Sequence, residues 1–525
     1  MNPVIIIPTY VGTKRKTPSY NVVATYDHVT PLTHQGELPR CLASLRDNGV
    51  TVPIILFVVS ESGVEREASL KINEIAVAYR ETLDIRVFDA VLLAQFHARA
   101  EQLGLTAIKE GVSLTGYGAM RNFGLVVAAT LGFTELIFVD EDEVVISPDF
   151  MAQALYGLGK LSKKGIPVLV KSGFHIDRKG KWKSKETHAW YNRYWEQGEL
   201  FNRWISKAMT TSRLSRSNIL NGGLMAIHRE AFRRVSFDPW IPRGEDLDYL
   251  LNIRMYGGGV WFDNKWSIQR IPPTERNESQ RFKQDIYRWI YEHRKLEFSK
   301  TQIDLLQIQP HSLDPYPGPF LENSITTRVF VTALLRIAGR SNDRLGYLRA
   351  AQAARREAKA YAEMFCSKYF EFQLGWAQIL GTLEADPHLK ALFSEGTRVA
   401  AQPAAGTIEV SGDTHVSPFA DTVAALPTAV AGQMGQGTSR ALGAPAVLVG
   451  QPAQATALSQ TAQASSLAPG VSPAVGLSAA MVGAQAGSFV QVPTQGDPGS
   501  PVSFKPDLFD FQLDLEALGI DIDDE

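Results

Sequence analysis

Four short, uninterrupted apolar runs at residues 4–7, 54–59, 85–88 and 136–139 punctuate the first 150 residues, each bounded by polar turn residues. Runs of this length without polar alternation mark strands buried on both faces. Between them, residues 65–81 and 120–131 have helical composition. Strand and helix in alternation predict βαβ units, hence an α/β fold with a doubly wound sheet. Ligands of such sheets collect beyond the carboxyl ends of the strands. The first suspects are therefore the residues just after the runs: Pro8-Thr9-Tyr10, Ser60-Glu61-Ser62 and Asp140-Glu141-Asp142.

Farther along, residues 168–174 read as a strand and 186–209 as a helix rich in Trp and Tyr. Asn221-Gly222-Gly223 leads into a short strand at 224–228 and a short helix at 229–234. An amphipathic helix follows at 280–296, then further helices at 323–395. The stretch between Tyr10 and Leu45 is too long for a simple turn, and loops of that length are functional or disordered. Its Lys14-Arg15-Lys16 and His28 suit phosphate or a ligand pocket, or a solvated loop. Trp182, Trp190, Tyr191, Tyr194 and Trp195 offer faces for stacking on a ring, or for packing on the sheet.

Composition changes near residue 400. Only five charged residues occur in 401–500, which is otherwise Ala, Gly, Pro, Ser, Thr, Gln and Val. Such a segment has no means of building a core. The expected organisation is an α/β domain over 1–300, a helical extension over 301–398, a flexible linker over 399–500 and an acidic-hydrophobic tail over 501–525. In the tail, Phe504, Leu508, Phe509, Phe511 and Leu513 alternate with Asp507, Asp510 and Asp514. That pattern reads as a peptide docking on a protein partner, or as a solubilising tail.

Residues 401–525 hold twelve acids and two bases against a whole-chain charge of −2, so the first 400 residues stand near +8. This suits anionic small molecules, and it is too dispersed to indicate nucleic acid. The two cysteines, Cys41 and Cys366, have no metal-ligand spacing and are expected to be reduced thiols. No transmembrane segment and no signal peptide are read, and the expected location is cytoplasmic.

The run 136–139 delivers four consecutive carboxylates, Asp140-Glu141-Asp142-Glu143, to a strand end. Like charges packed there repel and call for a counter-cation. A divalent metal held by one or two carboxylates plus substrate phosphates resolves the repulsion.

With Pro8-Thr9-Tyr10 after the first strand, Gly118-Ala119-Met120-Arg121-Asn122-Phe123-Gly124-Leu125 before a helix, and this acidic strand end, the chain resembles family-2 glycosyltransferases of the GT-A fold. Asn221-Gly222-Gly223-Leu224-Met225-Ala226 and Arg243-Gly244-Glu245-Asp246-Leu247-Asp248 extend the resemblance over residues 3–270. It implies a GT-A-type mixed sheet, a nucleotide-sugar donor, an acceptor hydroxyl and Mg2+ or Mn2+. It also implies site roles. Pro8, Thr9 and Tyr10 approach the nucleotide, Glu61 holds the base or ribose, and Arg121 and Asn122 face base and phosphates. Asp142 ligates the metal, with Asp140 nearer the ribose. Asp246 is the base that deprotonates the acceptor, which favours inversion. Its alternative is helix capping, as for Glu245 and Asp248.

Two departures qualify the pattern. Where relatives place a metal-completing His, this chain has Gln269 or Arg270, and Arg270 would bind the diphosphate directly. Gln284 and Arg288-Trp289 are one residue too far apart for the Gln-x-x-Arg-Trp of processive members. Rival readings are weaker. A sugar-phosphate nucleotidyltransferase needs a Gly-rich turn after the first strand, where this chain has Pro8-Thr9-Tyr10. An oxidoreductase needs Gly-x-Gly-x-x-Gly there. A non-catalytic adaptor acting through the tail has no use for Asp140, Asp142 and Asp246.

Overall fold

The apolar runs lie side by side as strands in a computed structural model of the chain, which describes residues 1–13, 26, 29–185, 188–271, 278–339 and 343–396. Among the described residues ten strands form one sheet: β1 (Pro3–Gly12), β2 (Thr30–Pro31), β3 (Ile54–Ser60), β4 (Ile85–Phe88), β5 (Glu135–Val139), β6 (Glu143–Val144), β7 (Val170–Ile176), β8 (Leu214–Arg216), β9 (Leu224–His228) and β10 (Val260–Arg270). The order is β4-β3-β1-β5-β9-β7-β10-β6, with β2 beside β1 and β8 beside β10. The first four are mutually parallel, β9 is antiparallel to both β5 and β7, and β10 is parallel to β7. Strands β1, β3, β4, β5, β7 and β10 therefore all point the same way, and their carboxyl ends share one edge. The sheet is mixed α/β, as expected.

Strand alternation splits the core in two. Val4 and Ile6 of β1 join one apolar cluster with the Ala90–Gln102 and Tyr117–Thr130 helices. Ile5 and Ile7 join the other with the Leu38–Asp47 and Glu65–Val77 helices. The sheet is thus covered on both faces, which is why its strands read as unbroken apolar runs.

The helical extension expected after residue 300 is packed into the body. Phe393 lies 5.6–5.9 Å from the rings of Phe88, Phe96 and Phe123. The indole of Trp376 donates to the Phe232 carbonyl at 2.8 Å. The Tyr117–Thr130 helix is apolar nearly all round, and such a helix needs cover on every side; the Ala358–Ala385 and Pro387–Glu395 helices supply it. Each large side chain buried across this seam contributes about 1.5–3 kcal/mol.

Other expectations shift. The helix expected over 186–209 is a turn at Trp190–Asn192 followed by a helix only at Gln197–Met209. The aromatic stretch between them packs instead, with Trp195 edge-on to Phe282 and Phe320 at 5.1 and 5.2 Å. The long loop after Tyr10 ends early, because Pro39 starts the Leu38–Asp47 helix, where its missing N–H costs nothing. Lys14-Arg15-Lys16, His28, the linker and the tail lie outside the described residues. Among the described residues no helix is long and apolar enough to cross a membrane.

Candidate active site

A pocket of about 240 Å3 opens at the shared carboxyl edge of the strands. Tyr10 of β1, Asp140 and Asp142 after β5, His175 of β7 and Arg270 of β10 line it. The Asn221–Gly223 turn and the start of the Glu245–Met255 helix close the other side.

The four acids after β5 are not equivalent. Glu141 accepts from Thr9 Oγ1 at 2.6 Å and from the Tyr10 N–H at 3.0 Å. Glu143 accepts from the Asp140 N–H at 3.0 Å, and its Oε1 lies 2.7 Å from His175 Nε2. Burial pushes the Glu143 carboxyl up to about 7. Gly223 makes room for it, since a Cβ there would stand 2.2 Å from Glu143 Oε1. Asp140 and Asp142 are left facing the pocket, each beside a cation. Arg121 Nη2 is 3.3 Å from Asp140 Oδ1, and Arg270 Nε is 3.1 Å from Asp142 Oδ2. One oxygen each of Asp140, Asp142 and Glu143 lies within 4.8 Å of the others. A convergent, all-oxygen set of this kind fits a hard divalent cation such as Mg2+ or Mn2+.

The second acidic run opens a helix. Gly244 has φ +76°, a conformation that favours glycine, and turns the chain into the Glu245–Met255 helix. Asp246 accepts from the Gly222 N–H at 3.1 Å and the Leu247 N–H at 2.7 Å, with Arg288 Nη2 3.9 Å away. Glu245 turns inward, 3.4 Å from Arg121 Nε, and burial raises its carboxyl to about 7, Asp246 and Asp140 adding to the effect. Arg121 thus bridges the two acidic runs from beneath, and only 2% of it is exposed. Asp248 is fully buried, where Lys295 Nζ donates to both its oxygens at 2.7 and 2.9 Å and to Asp238 at 2.8 Å. That contact fastens the Glu245–Met255 helix to the Glu278–Ser299 helix. Removing one partner of a buried pair costs about 3–5 kcal/mol.

The structure brings together Tyr10, Arg121, Asp140, Asp142, Asp246 and Arg270, and leaves four other expected residues elsewhere. Pro8 and Thr9 are buried inside β1, and Thr9 serves Glu141. Glu61 does not line the pocket; it accepts from the Thr13 N–H and hydroxyl at 2.8 and 2.9 Å. Asn122 spends its amide on the backbone, donating to the Gly111 and Phe237 carbonyls and accepting from the Phe237 N–H. It ties two loops together. The helical periodicity explains the contrast with Arg121, because neighbours on a helix face different directions. Trp190, Arg193 and Trp195 line a separate hollow of about 210 Å3.

Sequence reasoning missed His175, Tyr117, Arg243, Arg281 and Arg288, all pocket-lining. Arg281 and Arg288 carry a readable signal: a spacing of seven puts both on one side of a helix. His175 carries none, since the reading of its strand stopped one residue short. Tyr117 sits 5.9 Å from Tyr10 and 5.3 Å from Tyr26, forming an aromatic corner at the pocket's edge.

No protein-family model matches the chain, and no curated protein matches it in sequence. Several solved structures are similar to it in part, and they include glycosyltransferases. A mannosyltransferase from Pyrobaculum calidifontis, in complex with GDP-mannose and Mn2+, is 14% identical over 71% of this chain and 87% of its own, with a TM-score of 0.37. Glucosyl-3-phosphoglycerate synthase from Mycobacterium tuberculosis, in complex with Mn2+, UDP and phosphoglyceric acid, is 12% identical over 55% and 76%, with a TM-score of 0.29. GalNAc-T7, with UDP, GalNAc and Mn2+, is 12% identical over 66% and 56%, with a TM-score of 0.27.

Proposed function

We propose that the chain is a glycosyltransferase that moves a sugar from a nucleotide-diphosphate sugar to an acceptor hydroxyl, with inversion. One observation carries this reading: two pocket-facing carboxylate sets, Asp140 with Asp142 and separately Asp246, stand on different walls of one pocket. A single set would serve binding alone. Displacement at a sugar needs a charge-handling end for the diphosphate and a proton-accepting end for the nucleophile.

Asp140 and Asp142 would hold the divalent cation, with Glu143 behind them. When bound, the cation supplies Lewis-acid neutralisation of the departing diphosphate. Arg270, beside Asp142, offers a guanidinium to the same phosphates. Tyr10 and Tyr117 offer ring faces to the nucleobase. Asp246, oriented by the Gly222 N–H, takes the proton of the acceptor hydroxyl as its oxygen attacks the anomeric carbon. The bond from that carbon to the diphosphate oxygen breaks, and its electron pair leaves with the nucleoside diphosphate. Direct attack by an activated hydroxyl inverts the anomeric centre.

The test is a mass-spectrometric screen of nucleotide sugars with purified protein and Mg2+ or Mn2+. We expect at least one donor to be consumed with release of its nucleoside diphosphate. Absence of both binding and turnover across uridine, guanosine, adenosine and thymidine donors would remove the reading.

A further inference from the structure

The pocket's cations fall into two groups. Arg121 and Arg270 are each matched to an acid of the strand-end run, Asp140 and Asp142. Arg243, Arg281 and Arg288 line the same pocket from the turn before Asp246 and from the Glu278–Ser299 helix, and Arg288 Nη2 lies 3.9 Å from Asp246 Oδ1. Arg243 precedes Asp246 by three residues. Arg281 and Arg288 lie two turns apart along one side of the Glu278–Ser299 helix. We propose that these three arginines recognise an anionic group, a phosphate or carboxylate, carried by the acceptor. This rests on the transferase reading and names the acceptor's chemical class.

Arg288 makes the strongest case. Gly244 lets its guanidinium cross the turn before Asp246, because a Cβ at 244 would stand 2.1 Å from Arg288 Cζ. Among the described residues the guanidinium makes one hydrogen bond, from Nε to Glu292 Oε1 at 3.1 Å. Glu292 is wholly buried, and its Oε2 has no hydrogen-bond partner. An ionised carboxylate would not tolerate that, whereas a protonated acid meets the cost more cheaply. Burial accordingly pushes Glu292 up to about 8. At neutral pH Glu292 therefore orients the Arg288 charge more than it cancels it, and Asp246 lies at 3.9 Å, outside hydrogen-bond reach. The Nη edge of a guanidinium matches the paired oxygens of a phosphate or carboxylate. Asp285, one turn from Arg281 and Arg288 on the same helix, lies 3.5 Å from Arg243 Nη1, so the loop arginine is held in line with the helical pair.

Position separates this group from the donor phosphates. The donor's diphosphate belongs with Asp140, Asp142 and Arg270. A cation next to the group that takes the acceptor's proton contacts whatever carries that proton. An acceptor bearing an anion two or three bonds from its hydroxyl would bridge Arg288 and Asp246.

Titration calorimetry on the full-length protein tests this. Uridine and guanosine diphosphates with Mg2+ are titrated first, to establish nucleotide binding by itself. Inorganic phosphate and glycerol 3-phosphate are then titrated into the nucleotide-saturated protein, with glycerol as the neutral control. We expect both phosphates to bind and glycerol not to. Arg281→Gln and Arg288→Gln should each weaken phosphate by roughly tenfold or more, the scale of a charge-assisted hydrogen bond, with nucleotide affinity unchanged. The two substitutions are made separately, so Arg281→Gln remains informative if Arg288→Gln misfolds. Sedimentation with phosphatidylcholine vesicles containing phosphatidic acid separates the sources: Arg281-dependent co-sedimentation indicates a lipid phosphate, and its absence a soluble one. The proposal is overturned if saturating nucleotide abolishes phosphate binding, or if Arg281→Gln weakens nucleotide as much as phosphate. If no nucleotide binds, the transferase reading falls, and phosphate binding by wild type and variants still decides whether the arginines hold an anion.

Discussion

Two acidic runs line one pocket, and the backbone sorts their carboxylates by different rules. After β5 the chain turns: Asp140 and Asp142 meet the cavity beside Arg121 and Arg270, Glu141 also lines it but is held by Thr9 and the Tyr10 N–H, and Glu143 is held behind them by the Asp140 N–H. At the helix start, successive residues are about 100° apart, so Glu245 reaches Arg121, Asp246 meets the pocket and Asp248 points to buried Lys295. Two acids of each run serve the scaffold: Glu141 and Glu143 after β5, Glu245 and Asp248 at the helix start. The strand-end run leaves two neighbouring carboxylates for a cation, and the helix-start run leaves one for a proton. Different backbones thus produce different chemistry from nearly the same composition.

The largest effect expected from breaking this division is at Asp246. Asp246→Asn keeps the shape and the hydrogen bond from Gly222 but cannot accept the proton. Turnover should fall by about 10²–10⁴-fold while donor affinity, read by calorimetry, stays the same. Collapse of donor binding would mean that both runs serve the donor.

Asp142→Ala should come next. Removing it deletes a metal-facing carboxylate and leaves Arg270 without its partner, and transfer should fall by about 10²–10³-fold with an unchanged circular dichroism spectrum. Chelation should silence the wild type, and Mg2+ or Mn2+ should restore it. Full activity in excess EDTA would shift the phosphate-handling role to Arg270 and end the metal assignment.

Glu141 lines the pocket yet is held by Thr9 and Tyr10, and so sharpens the contrast between carboxylates bound to the scaffold and those beside a cation. Glu141→Gln weakens charge-assisted bonds to Thr9 and Tyr10 worth about 1.5–3 kcal/mol. It should lower the melting temperature with at most about a tenfold loss of turnover. A loss matching that of Asp142→Ala would place Glu141 among the ligands.

The smallest effect is a pH dependence. The folded Glu292 carboxyl sits at about 8 against an ordinary value of 4.5, so the fold holds its proton where the unfolded chain releases it. Its contribution to stability is complete below the ordinary value and is lost as pH rises toward about 8. Glu292→Gln cannot titrate. Its melting temperature should exceed or approach that of the wild type at pH 8.5, relative to pH 5, by a difference on the order of a few °C. Parallel profiles for the two proteins would show Glu292 ionised throughout and Arg288 neutralised by it.

Legibility differed along the chain for physical reasons. Residues 4–7 and 136–139 were readable because strands covered on both faces leave an unbroken apolar signature. The Asp140–Glu143 run was readable because clustered acids are costly without a purpose, and Glu245-Asp246 only through the resemblance to family-2 glycosyltransferases, since acids at a helix start are ordinary caps. Asn122 misled because its motif neighbour Arg121 does reach the pocket, and a one-residue step on a helix changes direction by about 100°. Glu61 misled because its strand end is correct, yet Thr13 from the neighbouring β1 end takes its carboxylate.

Local pattern was sufficient for the parallel half of the sheet, the edge where a ligand would gather, and the acids delivered there. Those features depend on periodicity and charge within a few residues, which sequence displays directly. Only the tertiary structure decided which acids remain available, because that depends on partners brought from far away: Thr9 for Glu141, His175 for Glu143 and Lys295 for Asp248. It alone placed residues 325–396 inside the body, and Arg243, Arg281 and Arg288 in one pocket with Asp246. Burial and long-range pairing are properties of the assembled chain, and no window of sequence contains both partners.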